Sequence, residues 1–150
     1  GMFLIRAGGV NKTVTINNGN NSQVVIPMNS AHPYSYTQQI YTAAEMTGTG
    51  MITSIAFDVS VSNASSQSID VYVAHTSQST IATTSNYIPG ANLSLVYSGT
   101  YTFSTTGWNT ISLQTPFLYN GTDNIVVAFD KNTGAAATGL AFNNETLVFS

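Results

Sequence analysis

The sequence predicts an all-β protein, an antiparallel β-sandwich of jelly-roll type. Apolar and polar residues alternate over short stretches, as they do in half-buried strands. Clusters of Gly, Pro, Asn and Ser recur about every 8–12 residues, which is the spacing of turns in sandwiches and barrels. No stretch has the 3.6-residue period of a long amphipathic helix. A closed barrel is the structural alternative.

The chain of 150 residues predicts a single domain spanning residues 1–150. A domain of this length buries roughly 68–70% of its unfolded surface, so it folds without covalent crosslinks. The sequence contains no Cys, which excludes disulfides and thiolate metal sites.

Charge is scarce, because only 6% of the residues are charged, against about 25% in an average domain. The surface must therefore consist largely of Ser, Thr, Asn and Gln, which is typical of exported and cell-surface modules. A net charge of −3 with only three basic residues argues against nucleic acid and against anionic membrane surfaces as partners.

The N-terminal sequence GMFLIRAGGV lacks the features of a signal peptide. Its apolar run, residues 2–5, is shorter than the about 7–15 residues of a signal-peptide core, and Arg6 follows the run. No run reaches the roughly 18 apolar residues of a membrane span. We therefore expect no membrane insertion, and we interpret the chain as a domain excised from a longer extracellular or cell-surface protein.

Residues 10–16 and 23–28 are predicted to form an N-terminal hairpin around the Asn/Gly cluster at residues 17–21. A strand is predicted over residues 36–41. Thr42 is then the expected N-cap of a single helical turn that ends before Gly48.

Residues 51–61 show the clearest alternation, and the pattern repeats over residues 69–73. A turn at residues 63–66 predicts that these two strands form an antiparallel hairpin with one face on the core. Asp58 and Asp70 would then face solvent on adjacent strands.

The Ser/Thr-rich residues 76–92 lack strand periodicity and predict a surface loop that crosses from one sheet to the other. The strand that follows places Leu95, Tyr97 and Tyr101 at core-facing parity, with Gly99 as a bulge or a point of close approach.

Residues 107–130 predict a strand with a kink at Pro116, a second strand, a tight turn at Asn120 and Gly121, and a third strand. Residues 125, 127 and 129 share one face of that third strand. Trp108 has the opposite parity to Ile111, so it either caps the core or faces outward. A last strand is expected within residues 140–149.

No constellation of residues predicts catalysis. The sequence lacks a G-x-S-x-G motif. His75 ends a strand on the opposite face from Asp70, which favours a structural histidine bonded to the backbone. His32 lies in a loop. Asp58 and Asp70 could act as an acid/base pair only if they approached within about 5–10 Å.

The segment Asp130-x-Asn132-x-Gly134 resembles the start of a calcium loop but lacks the required glutamate, so it predicts an ordinary turn. We expect no metal, no cofactor and no catalytic residue.

Aromatic residues are the remaining candidates for ligand binding. Tyr34, Tyr36 and Tyr87 lie in or beside irregular segments, so we expect them to be exposed. Tyrosine rings stack on sugars or on protein partners while the hydroxyl group stays hydrogen-bonded.

Several stretches between residues 35 and 131 resemble a β-sandwich accessory or adhesin-like module of surface and secreted proteins from Bacteroides-type bacteria. These stretches are residues 36–45, 50–57, 71–76, 107–111, 115–117, 119–121 and 124–127. The resemblance implies a non-catalytic extracellular module, next to other domains of a larger chain, that binds a glycan or a protein partner.

Two alternatives stay open. A structural assembly protein, such as a phage or pilus-like component, would explain why so few charged residues stand on the strand edges. A hydrolase would have to use His75 or the carboxylates.

Overall fold

The structure, a computed structural model, describes residues 2–16, 21–23 and 26–144. In this part of the chain, ten strands form two antiparallel sheets. The strands are β1 (Met2–Ala7), β2 (Val10–Thr15), β3 (Asn21–Gln23), β4 (Ser35–Tyr41), β5 (Gly50–Val61), β6 (Gln67–Thr76), β7 (Ser94–Tyr101), β8 (Gly107–Tyr119), β9 (Asn124–Lys131) and β10 (Ala141–Asn144). The predicted all-β sandwich is confirmed, whereas its jelly-roll arrangement stays a prediction.

The larger sheet is organised around β5. One edge of β5 pairs with β8, and its other edge pairs first with β1 and then with β10. β2 extends the sheet beyond β1, and β3 extends it beyond β10. The smaller sheet has the order β4-β9-β6-β7.

The core lies between the sheets and is formed by the apolar residues of alternating parity. Phe57 of β5 and Phe129 of β9 meet edge to face across it, with ring centroids 5.5 Å apart. The predicted inward face of β9 is confirmed, because residues 125, 127 and 129 are all fully buried.

The predicted helical turn is also confirmed as α1 (Ala43–Met46). Thr42 caps it, accepting a hydrogen bond from the Glu45 N–H, while the Glu45 carboxylate accepts one from the Thr42 N–H. This reciprocal capping box satisfies two of the free N–H groups at the helix start.

The predicted hairpin of β5 and β6 is wrong, because the two strands lie in different sheets. The alternation showed correctly that each strand buries one face, but a strand has the same alternation whichever neighbour it pairs with. Asp58 and Asp70 are therefore not neighbours. Asp58 instead accepts a 2.9 Å hydrogen bond from the Asn143 side chain.

The first hairpin also differs from the prediction. β2 pairs with β1 through a turn at Gly8 and Gly9, both at positive φ. β3 ends at Gln23 and pairs with β10. Residues 26–28 are not a strand, while the expected turn residues 17–20 and residues 24–25 lie outside the described residues.

The kink in β8 is confirmed. Its pairing with β5 stops at Ser112 and resumes at Phe117. Between them, the Gln114 side chain accepts from the Ser98 N–H at 3.0 Å and donates to the Ser98 carbonyl at 2.9 Å. This amide copies the two bonds of a strand pair and so links the edge of β7 to β8 in the other sheet.

A bulge changes the expected parity of β7. Its register with β6 shifts between Val71 and Tyr72, so that Val96 is buried and Leu95 is 47% exposed. Two successive residues oppose one partner at a bulge, which reverses the face of all residues beyond it. The core position predicted for Leu95 is therefore wrong.

Candidate ligand-binding face

The outer face of the smaller sheet has a covered half and an open half. Residues 77–93 connect β6 to β7, which are neighbours in that sheet, so the predicted crossing between sheets is wrong. The loop instead folds over the sheet, and Ile88 packs on Ala74 and Val126. This apolar contact covers one half of the face.

Gln38 of β4 fixes the loop in this position. Its side chain donates to the Ile88 carbonyl at 2.9 Å and accepts from the Ile88 N–H at 2.8 Å. The same Nε2 donates to the Tyr36 hydroxyl at 3.0 Å. One buried amide therefore positions both the loop and a neighbouring tyrosine.

Tyr87 is positioned by the same contacts, because it precedes Ile88. Its ring meets Tyr36 edge to face, with centroids 5.7 Å apart and planes at 60°. The two predicted candidates Tyr36 and Tyr87 are thus brought together from separate segments.

Two carboxylates lie beside these rings. Asp130 of β9 is directly opposite Asp70 of β6 and, on its other side, opposite Tyr36 of β4. Tyr72 is two residues along β6 from Asp70 and therefore shares its face. We call Tyr36, Tyr72, Tyr87, Asp70 and Asp130 the tyrosine–aspartate face.

Both aspartates lack a partner within the part of the chain that the structure describes. Among the described residues, no side chain or backbone group makes an ion pair or hydrogen bond with the carboxylate of Asp70 or Asp130. The pKa of Tyr72 is raised, first by desolvation and then by the negative charges of Asp70 and Asp130. The two carboxylates therefore lie close enough to the Tyr72 phenol to disfavour its ionised form.

The third predicted candidate, Tyr34, lies in the loop before β4 and is 66% exposed. The Tyr34 hydroxyl lies beside Gly134, because a Cβ atom built on that glycine would be 3.4 Å from the hydroxyl oxygen. In the described part of the chain, no ring contact joins Tyr34 to Tyr36 or Tyr87, so the structure does not bring all three candidates together.

His75 lies near the far end of β6. Its Nε2 accepts a 3.1 Å hydrogen bond from the Asn120 N–H, and its ring stacks against Tyr119 and contacts Phe117. This confirms the predicted bond of the His75 imidazole to the backbone. His32 is exposed, and its carbonyl accepts a hydrogen bond from Lys131.

Trp108 faces outward on the larger sheet, opposite Asp58. This settles the choice that its parity left open.

Within the described ranges, no group of three or more His, Asp or Glu residues could hold a metal ion.

Sequence reasoning missed Asp70, Tyr72 and Asp130 as members of one face. It placed Asp70 toward solvent but beside Asp58, and it placed Asp130 in a calcium-like turn. The missing information was the strand order, because β6 and β9 are separated by two strands in the sequence.

Comparisons with protein-family models, with curated proteins and with solved structures find no match to this chain. The resemblance to surface modules of Bacteroides-type bacteria therefore stays a prediction. Over the residues described, no helix has the length and apolarity needed to cross a membrane.

Proposed function

We propose that this chain is a non-catalytic extracellular accessory or adhesion module that binds a glycan on the tyrosine–aspartate face. The observation that carries the proposal is the fixed contact between Tyr36 and Tyr87, which come from a strand and from a separate loop. Gln38 is hydrogen-bonded to the Tyr36 hydroxyl and to the backbone of Ile88, the residue after Tyr87, so both rings are positioned before any ligand arrives.

The chemistry of the face suits a sugar. The C–H surface of a pyranose stacks on tyrosine rings, whose large area is immobilised at low entropic cost. Asp70 and Asp130 supply carboxylate oxygens that can accept hydrogen bonds from sugar hydroxyls. A protein partner could use the same rings, and the experiment below distinguishes the two.

The partial exposure of both carboxylates supports a non-catalytic role. A glycosidase commonly holds its catalytic acid in a buried, apolar pocket. Asp70 and Asp130 lie on an open face instead, and His75 is bonded to the backbone at another site. A hydrolase remains the alternative that the experiment must test.

The test is a glycan-array screen of the purified chain and of two variants, Tyr36→Ala and Tyr87→Ala. We expect reproducible binding to a defined set of glycans and a loss of at least about tenfold in affinity in each variant, because stacked aromatic residues dominate such sites. Leu118→Ala is the matched control, since Leu118 is 65% exposed on the larger sheet. Tyr34→Ala tests whether the site extends to the loop before β4.

Each other outcome contradicts part of the proposal. A blank array with folded protein, checked by circular dichroism, would contradict glycan binding and favour a protein partner or a spacer. Shortened oligosaccharides detected by mass spectrometry would contradict a non-catalytic role.

The assembly alternative is tested by sizing at micromolar concentration. The Gln114–Ser98 bonds occupy backbone groups at the edge of β7, which leaves less of that edge for a neighbouring chain. We expect a monomer, and an oligomer peak would favour an assembly protein.

A further inference from the structure

The aspartates of the tyrosine–aspartate face are an uncompensated pair of like charges. Asp70 and Asp130 are directly opposite on neighbouring antiparallel strands, which places their Cα atoms about 4.5–5.5 Å apart. Like charges in this position destabilise a sheet. No described residue supplies a cation or a hydrogen-bond donor to either carboxylate.

The few positively charged residues of the chain are all accounted for elsewhere than at the two aspartates. The chain has only three Lys and Arg residues. Lys131 donates to three backbone carbonyls and Lys12 to the Thr47 carbonyl. Arg6, the third, is on β1 of the larger sheet, opposite Met51. A positive charge for the two aspartates would therefore come from the ligand.

Tyrosine rings border the same position. Tyr36 is opposite Asp130, and Tyr72 follows Asp70 by two residues on the same face. The negative face of an aromatic ring attracts an organic ammonium within about 6 Å. Carboxylates and rings thus favour the same kind of group, a cationic nitrogen bonded to carbon.

We propose that the glycan bound by this face carries free amino groups, as in unacetylated glucosamine units, and that one ammonium lies between Asp70 and Asp130 beside Tyr36 and Tyr72. This inference rests on the proposed function. It assigns the charged part of the ligand to the aspartates, and it assigns the sugar ring to Tyr36 and Tyr87.

Two other cations fit less well. Calcium takes 6–8 oxygen ligands, and the described residues provide no third acidic group here. A lysine side chain would match the carboxylates, but it has no ring to stack on the Tyr36–Tyr87 pair.

The experiment compares three β-1,4-linked tetrasaccharides by calorimetry: glucosamine, N-acetylglucosamine and glucose. They share one backbone and differ at C2, which carries an ammonium, an acetamide or a hydroxyl group. The buffer is slightly acidic, low in salt and contains a metal chelator. We expect the glucosamine tetramer to bind at least about tenfold more tightly than the other two, because charge-assisted hydrogen bonds are the strong ones.

The isosteric variants Asp70→Asn and Asp130→Asn remove the charges. We expect each to weaken binding of the glucosamine tetramer about tenfold or more and to leave the glucose tetramer within about twofold. Asp58→Asn is the matched control, because Asp58 lies on the other sheet. Added salt should weaken only the glucosamine tetramer.

The failures are distinguishable. Equal binding of all three tetramers, unchanged in the Asp→Asn variants, would overturn this inference and leave the proposed function standing. Binding of none of the glycans tested here or on the array would overturn the proposed function itself. Equally tight binding of a lysine-rich peptide would show that the ammonium alone is recognised, which would overturn the assignment to a sugar. Binding that requires calcium in place of the chelator would assign the aspartates to a metal.

Discussion

Asp130 and Lys131 are consecutive residues of β9 with opposite surroundings. Lys131 points into the protein and is 0% exposed, and its Nζ donates to the carbonyls of His32, Pro33 and Ala135 at 2.7, 3.0 and 2.7 Å. Asp130 points outward and has no partner among the described residues. Successive side chains of a strand point to opposite faces of the sheet. The bonded Lys131 and the unbonded Asp130 are therefore neighbours in the chain but lie on opposite faces.

The difference shows how a structural charge can be distinguished from one available to a ligand. An ammonium has three donors, and Lys131 uses all of them, so it ties two loops to the end of the core. Its pKa is lowered by desolvation, as expected for a cation that has carbonyl partners but no carboxylate. Among the described residues, none donates a hydrogen bond to the carboxylate of Asp70 or Asp130, although a cation bound there would remove their mutual repulsion.

The largest expected effect is that of Lys131→Met. The substitution keeps the apolar stem but removes the donor of the His32 and Ala135 carbonyls, whereas the Pro33 carbonyl still accepts from the Gly134 N–H. We therefore expect the unfolding free energy to fall by about 2–4 kcal/mol in urea titrations. Lys12→Met is the control, because Lys12 makes one exposed bond to the Thr47 carbonyl and should cost no more than about 0.5 kcal/mol. Equal losses in both variants would contradict the structural role of Lys131.

Half of this contrast could be predicted from the sequence. The predicted strand ended at residue 130. Extending it by one residue gives Lys131 the parity of Ile125, Val127 and Phe129, whose burial was predicted correctly, and so places Lys131 inward. The all-β class and the kink at Pro116 were likewise accessible, because each depends on residues close together in the chain.

The other half depends on strand order. The Asp70–Asp130 pair forms only because β9 lies beside β6, and β7 and β8 separate these strands in the sequence. Alternation predicts the face of a residue but not its cross-strand neighbour. Leu95 failed for a related reason, since a bulge between β6 and β7 reversed its parity.

Gln38 extends the comparison of bonded and unbonded polar groups to a single face. It lies on the same outer face as Asp130, but its amide groups are hydrogen-bonded. Gln38→Leu removes both bonds to the Ile88 backbone, and we expect a loss of about 1–3 kcal/mol in unfolding free energy. Proteolysis within residues 77–93 should become faster, since the loop is held there. Gln78→Leu is the control, because it loses one exposed bond to the Asn86 carbonyl; similar proteolysis of both variants would show that Gln38 does not fix the loop.

A smaller effect of opposite sign is expected for Asp130→Asn. Removing one of two opposed charges should raise the unfolding free energy by about 0.5 kcal/mol at low salt, and the gain should disappear at high salt. Asp58→Asn should give no gain, because that carboxylate already accepts a bond from Asn143. A loss of stability in Asp130→Asn would mean that its carboxylate has a structural partner.

The smallest effect is a shift in the pKa of Tyr72. Desolvation raises this pKa most, and Asp70 and Asp130 raise it further, so the Asp70→Asn/Asp130→Asn variant should lower it without restoring the ordinary value. The folded protein holds the Tyr72 proton above the unfolded pKa of about 10. The stability that this pKa difference contributes is therefore fully present below pH about 10. It is lost as the pH rises above that value, and the loss is less steep in the double variant.

NMR titration of ¹³C-labelled tyrosines measures the shift, with Tyr72→Phe to assign the signal. Tyr41 is the internal control, because its pKa is raised by burial and by Glu45, on the core side of the sheet. The double variant should leave Tyr41 unchanged. If Tyr72 also failed to respond, the two carboxylates would not act on the ring beside them, and the tyrosine–aspartate face could not bind one cation as a unit.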